Sequence, residues 1–289
     1  MVEELASSHD MEVTFSCRQL EVSRSGYYAW RKRPQSQREA ENVVLAAQIQ
    51  LVYDESRKTY GYPRVHEKLK SQGVCCGKNR VAKLMKENDM ASVTRKRFNV
   101  KTTDSNHDLP IAPREFDIES ADAVIAPNQV WVSDLSYTST RNGFLFLVIF
   151  LDVFTRKVVG FSADTHMRTE LVLEALDMAI GRQNLGDYPL IVHSDRGSQY
   201  ASGDFTKRLS IEGIISSMSR RGNCYDNSLA ETFFATLKKE LIYLTDFEFP
   251  EDAKKAIFEY IECWYNRQRL HSSIGYRTPE DYEKFNLSA

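Results

Sequence analysis

The stretch Q-V-W-V-S-D-L-S-Y-T-S-T-R-N-G-F-L-F-L-V-I-F-L-D-V-F-T-R-K-V-V-G-F-S-A, residues 129–163, decides the fold. It divides into three runs rich in β-branched and aromatic residues: Gln129–Thr138, Phe144–Phe154 and Lys157–Ala163. Asn142-Gly143 and Thr155-Arg156 are turn signals between them, so the pattern predicts an antiparallel meander. Along the first run, period-two counting places Asp134 on the strand face of Val130 and Val132. A carboxylate following two valines on one face is awkward unless a cation meets it there.

Downstream, Thr169–Gln183 has helical periodicity, with Leu171, Leu173, Ala175, Leu176 and Ala179 as its core stripe. Pro189–Ser194 reads as a short strand, Gly203–Ile211 as a helix, Ile214–Met218 as a strand and Asn227–Tyr243 as a long helix. Three strands, helix, strand, helix, strand, helix is the order of an α/β domain of the RNase H-like kind. We therefore expect a mixed five-stranded sheet flanked by helices over residues 128–245. Residues 246–289 form a helical extension, in which Phe249 to about Arg269 is amphipathic and ends in Trp264-Tyr265-Asn266-Arg267.

Upstream, residues 36–55 read as a helix with Val43, Val44, Ala47 and Leu51 on one face. Pro63 opens a second helix to Ser71, with Val65 and Leu69 spaced by four; Gly73 breaks it. Lys78–Asn88 forms a third, with Val81, Leu84 and Met85 as its stripe. Helix, short glycine-containing turn, helix with a basic outer face is a helix-turn-helix pattern, which presents Lys78, Asn79, Arg80 and Lys83 as candidate DNA contacts. With the basic run Thr94–Lys101 it defines a helical region, residues 1–101. Residues 102–127, polar and carrying three prolines, read as a linker.

Of the 289 residues, 42% are hydrophobic and 27% charged, which suits a globular protein with a sizeable core. The longest apolar run, Phe144–Leu151, has eight residues, far short of a membrane span, and the amino terminus lacks a signal-peptide pattern. Five cysteines without a C-x-x-C pair argue against a disulfide framework or zinc module; Cys75 and Cys76 read as packing residues, and a reducing cytoplasm is expected. The net charge of −2 conceals an asymmetry: residues 1–110 carry +5 and the remainder −7. The basic part suggests a nucleic-acid surface.

Phosphodiester chemistry without a protein nucleophile is commonly done by two divalent cations, which demand carboxylates brought together from separate elements. Asp134 suits this. So does Asp195, at the end of the Leu190–His193 strand and before Arg196-Gly197, and Glu231, about one turn into the long helix and four residues after Asn227. Thirty-five residues separate Asp195 from Glu231. Lys238 falls seven positions after Glu231, on the same helix face, where it would meet a substrate phosphate. Asp152 reads instead as a hairpin-turn acid. His193 and His271 have no second histidine at ligand spacing, which leaves them structural or DNA-contacting roles.

With these residues in view, the chain resembles the OrfB transposases of the IS-three group of bacterial insertion sequences, and more broadly the acid-triad superfamily of retroviral integrases. The matching segments are Trp131-Val132-Ser133-Asp134, H-S-D-R-G-S-Q-Y at 193–200, R-R-G-N-C-Y-D-N-S-L-A-E-T-F-F at 220–234 and K-x-E at 238–240. Y-N-R-Q-R-L-H-S-S-I-G-Y at 265–276, Thr278-Pro279, Tyr60–Arg64 and S-G-Y-Y-A-W at 25–30 extend the likeness over nearly the whole chain. The resemblance implies a DNA transposase with Asp134, Asp195 and Glu231 as catalytic and metal-binding acids, two Mg²⁺ ions per site (Mn²⁺ substituting) and Lys238 as the trailing base on DNA. It also implies transposon terminal inverted repeats and target DNA as substrates, a homo-oligomer in the synaptic complex, OrfA or an OrfA–OrfB fusion as partner, and a nucleoid-associated location in a bacterial cytoplasm. Two other classes compete. A nuclease of the same fold would need neither the helix-turn-helix nor the aromatic tail, and a DNA-binding regulator would need no triad.

Overall fold

A computed structural model of the chain describes residues 13–93, 110–117, 121, 123–186, 188–220 and 227–287. The helical region contains α1 (Val13–Gln19), α2 (Arg24–Arg31), α3 (Gln37–Glu55), α4 (Tyr62–Ser71) and α5 (Lys78–Glu87). Ser36 caps α3: its hydroxyl accepts the Glu39 N–H at 3.2 Å while the Glu39 carboxylate accepts the Ser36 N–H at 2.8 Å. Val65 and Leu69 of α4, and Val81, Leu84 and Met85 of α5, are buried as their spacing predicts.

The predicted inner face of α3 is corrected. Val43, Val44, Ala47 and Leu51 are exposed, while Leu45, Ile49, Val52 and Tyr53 are buried. Residues 45, 49 and 52 also recur at helical spacing, so α3 is apolar on two faces, and packing against Val65, Leu69 and Val81 selects the second. Of the paired cysteines, Cys76 packs against this core and Cys75 is exposed.

The sheet is built from β1 (Val130–Thr140), β2 (Gly143–Asp152), β3 (Val158–Asp164), β4 (Ile191–Ser194) and β5 (Ile215–Met218), in the order β3-β2-β1-β4-β5. The first three strands form the predicted antiparallel meander, with Thr140 opposite Gly143 and only Arg141-Asn142 between them. β4 runs parallel to β1, and β5 parallel to β4. Helices α6 (Thr169–Arg182) and α7 (Gly203–Ile211) provide the crossovers and share a core with Trp131, Val148 and Phe150 on one sheet face. Gly160 permits this approach: a Cβ there would lie 2.3 Å from the Ala175 carbonyl oxygen.

The opposite face, bearing Val130, Val132, Leu147 and Ile149, receives α8 (Ser228–Glu240) and α9 (Pro250–Glu259). A π-helical turn at Tyr260–Tyr265 and α10 (Pro279–Leu287) complete the order. Trp264, Tyr265 and Asn266 of the aromatic segment are buried, and the Asn266 amide pairs with both backbone groups of Val158 at 3.0 and 2.9 Å. The helical region shares this second core: Tyr60 donates to the Gln268 carbonyl and accepts the Leu270 N–H.

The basic run 94–101 and the first eight residues of the expected linker lie outside the described residues. Residues 110–117 lie beside β5, where the Ser217 hydroxyl accepts the Glu115 and Phe116 N–H groups and Phe116 is buried against His193. The topology is the RNase H-like one: a mixed five-stranded sheet flanked by helices, preceded by a helical helix-turn-helix-like region. Among the described residues no helix is long and apolar enough to cross a membrane.

Candidate active site

Strand pairing sets the level of the first two acids. Val132 of β1 pairs with His193 of the parallel strand β4, and Asp134 and Asp195 each follow two residues further on. Asp134 lies on the sheet face that receives α8, and its Oδ1 accepts the Leu135 N–H at 2.9 Å. Asp195 sits in the turn after β4, where its Oδ1 accepts the Gly197 N–H at 2.9 Å. A Cβ on Gly197 would stand 3.0 Å from that oxygen, so a glycine keeps the turn tight around the carboxylate.

Glu231 projects from the first turn of α8, whose inner residues Phe233, Phe234 and Leu237 pack with Val132 in one core. The helix start is fastened to β1: the Asn227 Nδ2 donates to the Ser133 carbonyl at 3.0 Å, immediately before Asp134. Burial holds the Asp134 carboxyl well above the usual carboxylate range, and the charges of Asp195 and then Glu231 raise it further. The Leu135 N–H and the Lys238 ammonium act in the other direction. Burial lowers Lys238, and Asp134 opposes that. Four of the residues singled out in the sequence thus share one electrostatic neighbourhood.

Two residues beside them were given no role from sequence. Tyr200 is buried, shares a 2.9 Å hydrogen bond with the Ser133 hydroxyl, and is raised well above its ordinary value by burial and by Asp134 and Asp195. It stood in the H-S-D-R-G-S-Q-Y motif, but nothing local linked it to β1. Asn227 was noted only as the residue one turn before Glu231; its contact spans 94 residues and has no sequence signal.

The other candidates resolve differently. Asp152 is buried and structural: its Oδ1 accepts the Thr155 N–H and O–H at 2.7 Å and its Oδ2 the Asn128 N–H at 2.8 Å. His193 is buried between the Ser217 and Ser219 hydroxyls. His271 is buried beside Arg269, which together with burial pushes its pKa down to about 2. On α5, Lys78, Asn79 and Lys83 are exposed; Lys78 lies 5.8 Å from the Tyr62 ring centre, and Lys83 is 3.6 Å from Glu87. Arg80 differs from the expectation. It is half-buried, donating to Asn42 at 2.7 Å and pairing with Glu41 at 3.3 Å, because the exposed side of α5 at that position faces α3.

Among the described residues no three acidic, histidine or cysteine side chains converge tightly enough to form a single ion's shell. In kind, the donors fit hard divalent cations: three carboxylates on three elements, with Lys238 acting on Asp134 against the other two acids.

The sheet order and the helical crossovers, with Asp134 inside β1 and Asp195 just past β4, have the arrangement of an integrase-type core. The chain matches the family model described as Integrase core domain over residues 125–224, a second Integrase core domain model over 212–279, and an HTH-like domain model over 39–98. It belongs to the insertion-sequence transposases of the IS3 family. It is 40% identical over 274 residues to the IS600 uncharacterized 31 kDa protein of Shigella sonnei, covering 94% of this chain and 99% of that one. It is 38% identical to the transposase for IS904 of Lactococcus lactis, over 88% of this chain and 99% of the relative. With the transposase InsF for IS3A of Escherichia coli it shares 35% identity over 96% of each. Among solved structures, the HTLV-2 integrase catalytic core domain in complex with magnesium is similar, with TM-score 0.42 and 21% identity over 55% of this chain and 98% of that one.

Proposed function

We propose that this chain cuts the 3′ ends of an insertion sequence and joins the freed 3′-hydroxyls to a second phosphodiester, with Asp134, Asp195 and Glu231 as the catalytic acids. The observation that carries the reading is that Asp134 on β1 and Asp195 just past the parallel strand β4 each follow the Val132–His193 pair by two residues, with the helix of Glu231 packed over the Asp134 face. Family membership supports DNA as the substrate.

In the first step a water oxygen attacks phosphorus and the bond to the 3′ oxygen breaks, leaving a 3′-hydroxyl on the element. In the second, that hydroxyl attacks another phosphodiester and releases a new 3′-hydroxyl; one P–O bond forms for each that breaks. Divalent ions, Mg²⁺ or Mn²⁺, held by Asp134 with Asp195 and by Asp134 with Glu231, would activate the nucleophile and offset charge on the leaving oxygen. The Leu135 and Gly197 N–H groups fix the Asp134 and Asp195 carboxylates. Lys238, kept close enough to act on Asp134, meets the substrate phosphate. Lys78, Asn79 and Lys83 contact DNA outside the site. Terminal inverted repeats and target DNA are the substrates, a homo-oligomer holds two ends, OrfA or an OrfA–OrfB fusion supplies end recognition, and the work is done in the cytoplasm.

The test is joining of a pre-cleaved element end by purified protein with its partner. Wild type joins with Mg²⁺ or Mn²⁺ and not with Ca²⁺, whose looser geometry activates the nucleophile less. Asp195→Asn loses joining while still binding the end. Joining by Asp195→Asn at the wild-type rate overturns the mechanism.

A further inference from the structure

Three motif residues that the active site leaves unused meet at one place. Arg64, from Tyr60–Arg64, Glu240, from K-x-E, and Arg269, from the tail motif, line a cavity of about 210 Å³ together with Lys239, Thr59 and Ser92. The cavity lies between the helical region, the C-terminal end of α8 and the tail. α8 is also the helix of Glu231 and Lys238.

The charge count at this cavity does not close. Glu240 is fully engaged: Arg269 holds both its oxygens through Nε at 3.1 and 3.0 Å and Nη2 at 2.9 Å. The Tyr260 hydroxyl donates to it at 2.8 Å and the Trp264 indole at 3.4 Å. The remaining Arg269 Nη1 lies 3.2 Å from the neutral His271. All of these hydrogen bonds to Glu240 come from Arg269, Tyr260 and Trp264, and it acts on Arg64 only through its field, as one carboxylate among the three cations Arg64, Lys239 and Arg269. Arg64 and Lys239 remain, and among the described residues neither has a carboxylate at ion-pair distance. Arg64 leans over the Tyr60 ring at 5.6 Å; burial and the neighbouring Arg269 disfavour its charge and outweigh the opposing effect of Glu240. The Thr59 and Ser92 hydroxyls already donate to the Ser56 and Thr59 carbonyls, so the surplus of positive charge from Arg64 and Lys239 is what suits this cavity to a tetrahedral oxyanion.

We propose that this cavity binds a backbone phosphate of the DNA whose reacting bond lies at the acid site to which Glu231 of the same helix belongs, with Arg64 and Lys239 as the phosphate ligands. The assignment rests on the DNA strand-transfer reading, and it adds to α8 a substrate contact at Lys239, next to Lys238 in the last turn.

The test is metal-free binding of an element-end duplex by the full chain, measured by fluorescence anisotropy across a salt series. In Arg64→Gln/Lys239→Gln, the slope of log affinity against log salt falls by roughly 0.9, the signature of one lost phosphate contact, and low-salt affinity falls about tenfold. Lys239→Arg keeps the wild-type slope. Lys239→Gln alone, at an exposed position, gives an intermediate loss and decides the matter if the double variant melts early. An unchanged slope in a folded variant overturns the proposal. So does protection of wild type alone by inorganic phosphate against heat with no change in DNA binding, which would mark a free-anion site. Because binding is read without metal, failure of wild type to join ends would count against the catalytic reading and leave this result standing.

Discussion

Asp134, inside β1, and Asp195, in the turn just past the parallel strand β4, each stand two residues beyond the Val132–His193 pair. Parallel pairing brings like ends of strands together, so two acids separated by 60 intervening residues become neighbours without a shared loop. Burial, and then their mutual repulsion joined by that of Glu231, hold the Asp134 carboxyl well above the usual range.

Asp134 should make the metal-free protein prefer acid. Its folded pKa lies above the unfolded value, so its contribution to stability is fully present below the ordinary carboxylate pKa and is lost as pH rises through the raised value. Asp134→Asn removes that dependence. In chelator, the variant's melting temperature should exceed wild type's by a margin that widens with pH, and added Mg²⁺ should raise wild type only. A margin independent of pH would refute this account of the site.

Asp152→Asn separates a structural acid from a catalytic one. The amide can still accept from Thr155 but sets its NH₂ against the Asn128 N–H, at a cost of about 1–3 kcal/mol. Chemical denaturation should register the loss, while end joining per folded molecule stays at the wild-type level. Abolished joining in a folded variant would promote Asp152 into the active site.

Within α5 the basic residues should divide. Lys78→Gln with Lys83→Gln should weaken DNA binding and reduce its salt slope by roughly 0.9 for each phosphate lost, leaving the melting temperature unchanged. Arg80→Ala should cost about 1–2 kcal/mol of stability, because it removes the bonds to Asn42 and Glu41 that join α5 to α3. If Arg80→Ala alters binding and not stability, its assignment as an interhelical tie is wrong.

The two apolar faces of α3 make opposite predictions. Ile49→Ala should cost about 2–5 kcal/mol as a buried truncation, whereas Val44→Lys and Leu51→Lys should each stay within about 0.5 kcal/mol. Denaturant midpoints measure both; comparable losses on the two faces would show that the Val44 side is covered.

The sequence by itself determined the strands and helices of the sheet domain and their order, and it singled out the candidate acids. Strand alternation, the Asn142-Gly143 turn and the spacing of Val65 with Leu69 or Val81 with Leu84 are local patterns. The backbone converts them directly into strands and helices. What a neighbouring element does with a helix is not local. Val43, Val44, Ala47 and Leu51 have the same periodicity as the residues of α3 that are buried, and only contact with α4 and α5 chose between the two faces. Arg80 looked like its neighbours until α3 supplied Asn42 and Glu41. Tyr200 reached Ser133 only because β1 and β4 pair, and the Arg64, Glu240 and Arg269 motifs met only because the tail folds back onto the helical region. In each case the deciding partner is remote in the chain, where periodicity and propensity carry no information and packing and electrostatic balance carry all of it.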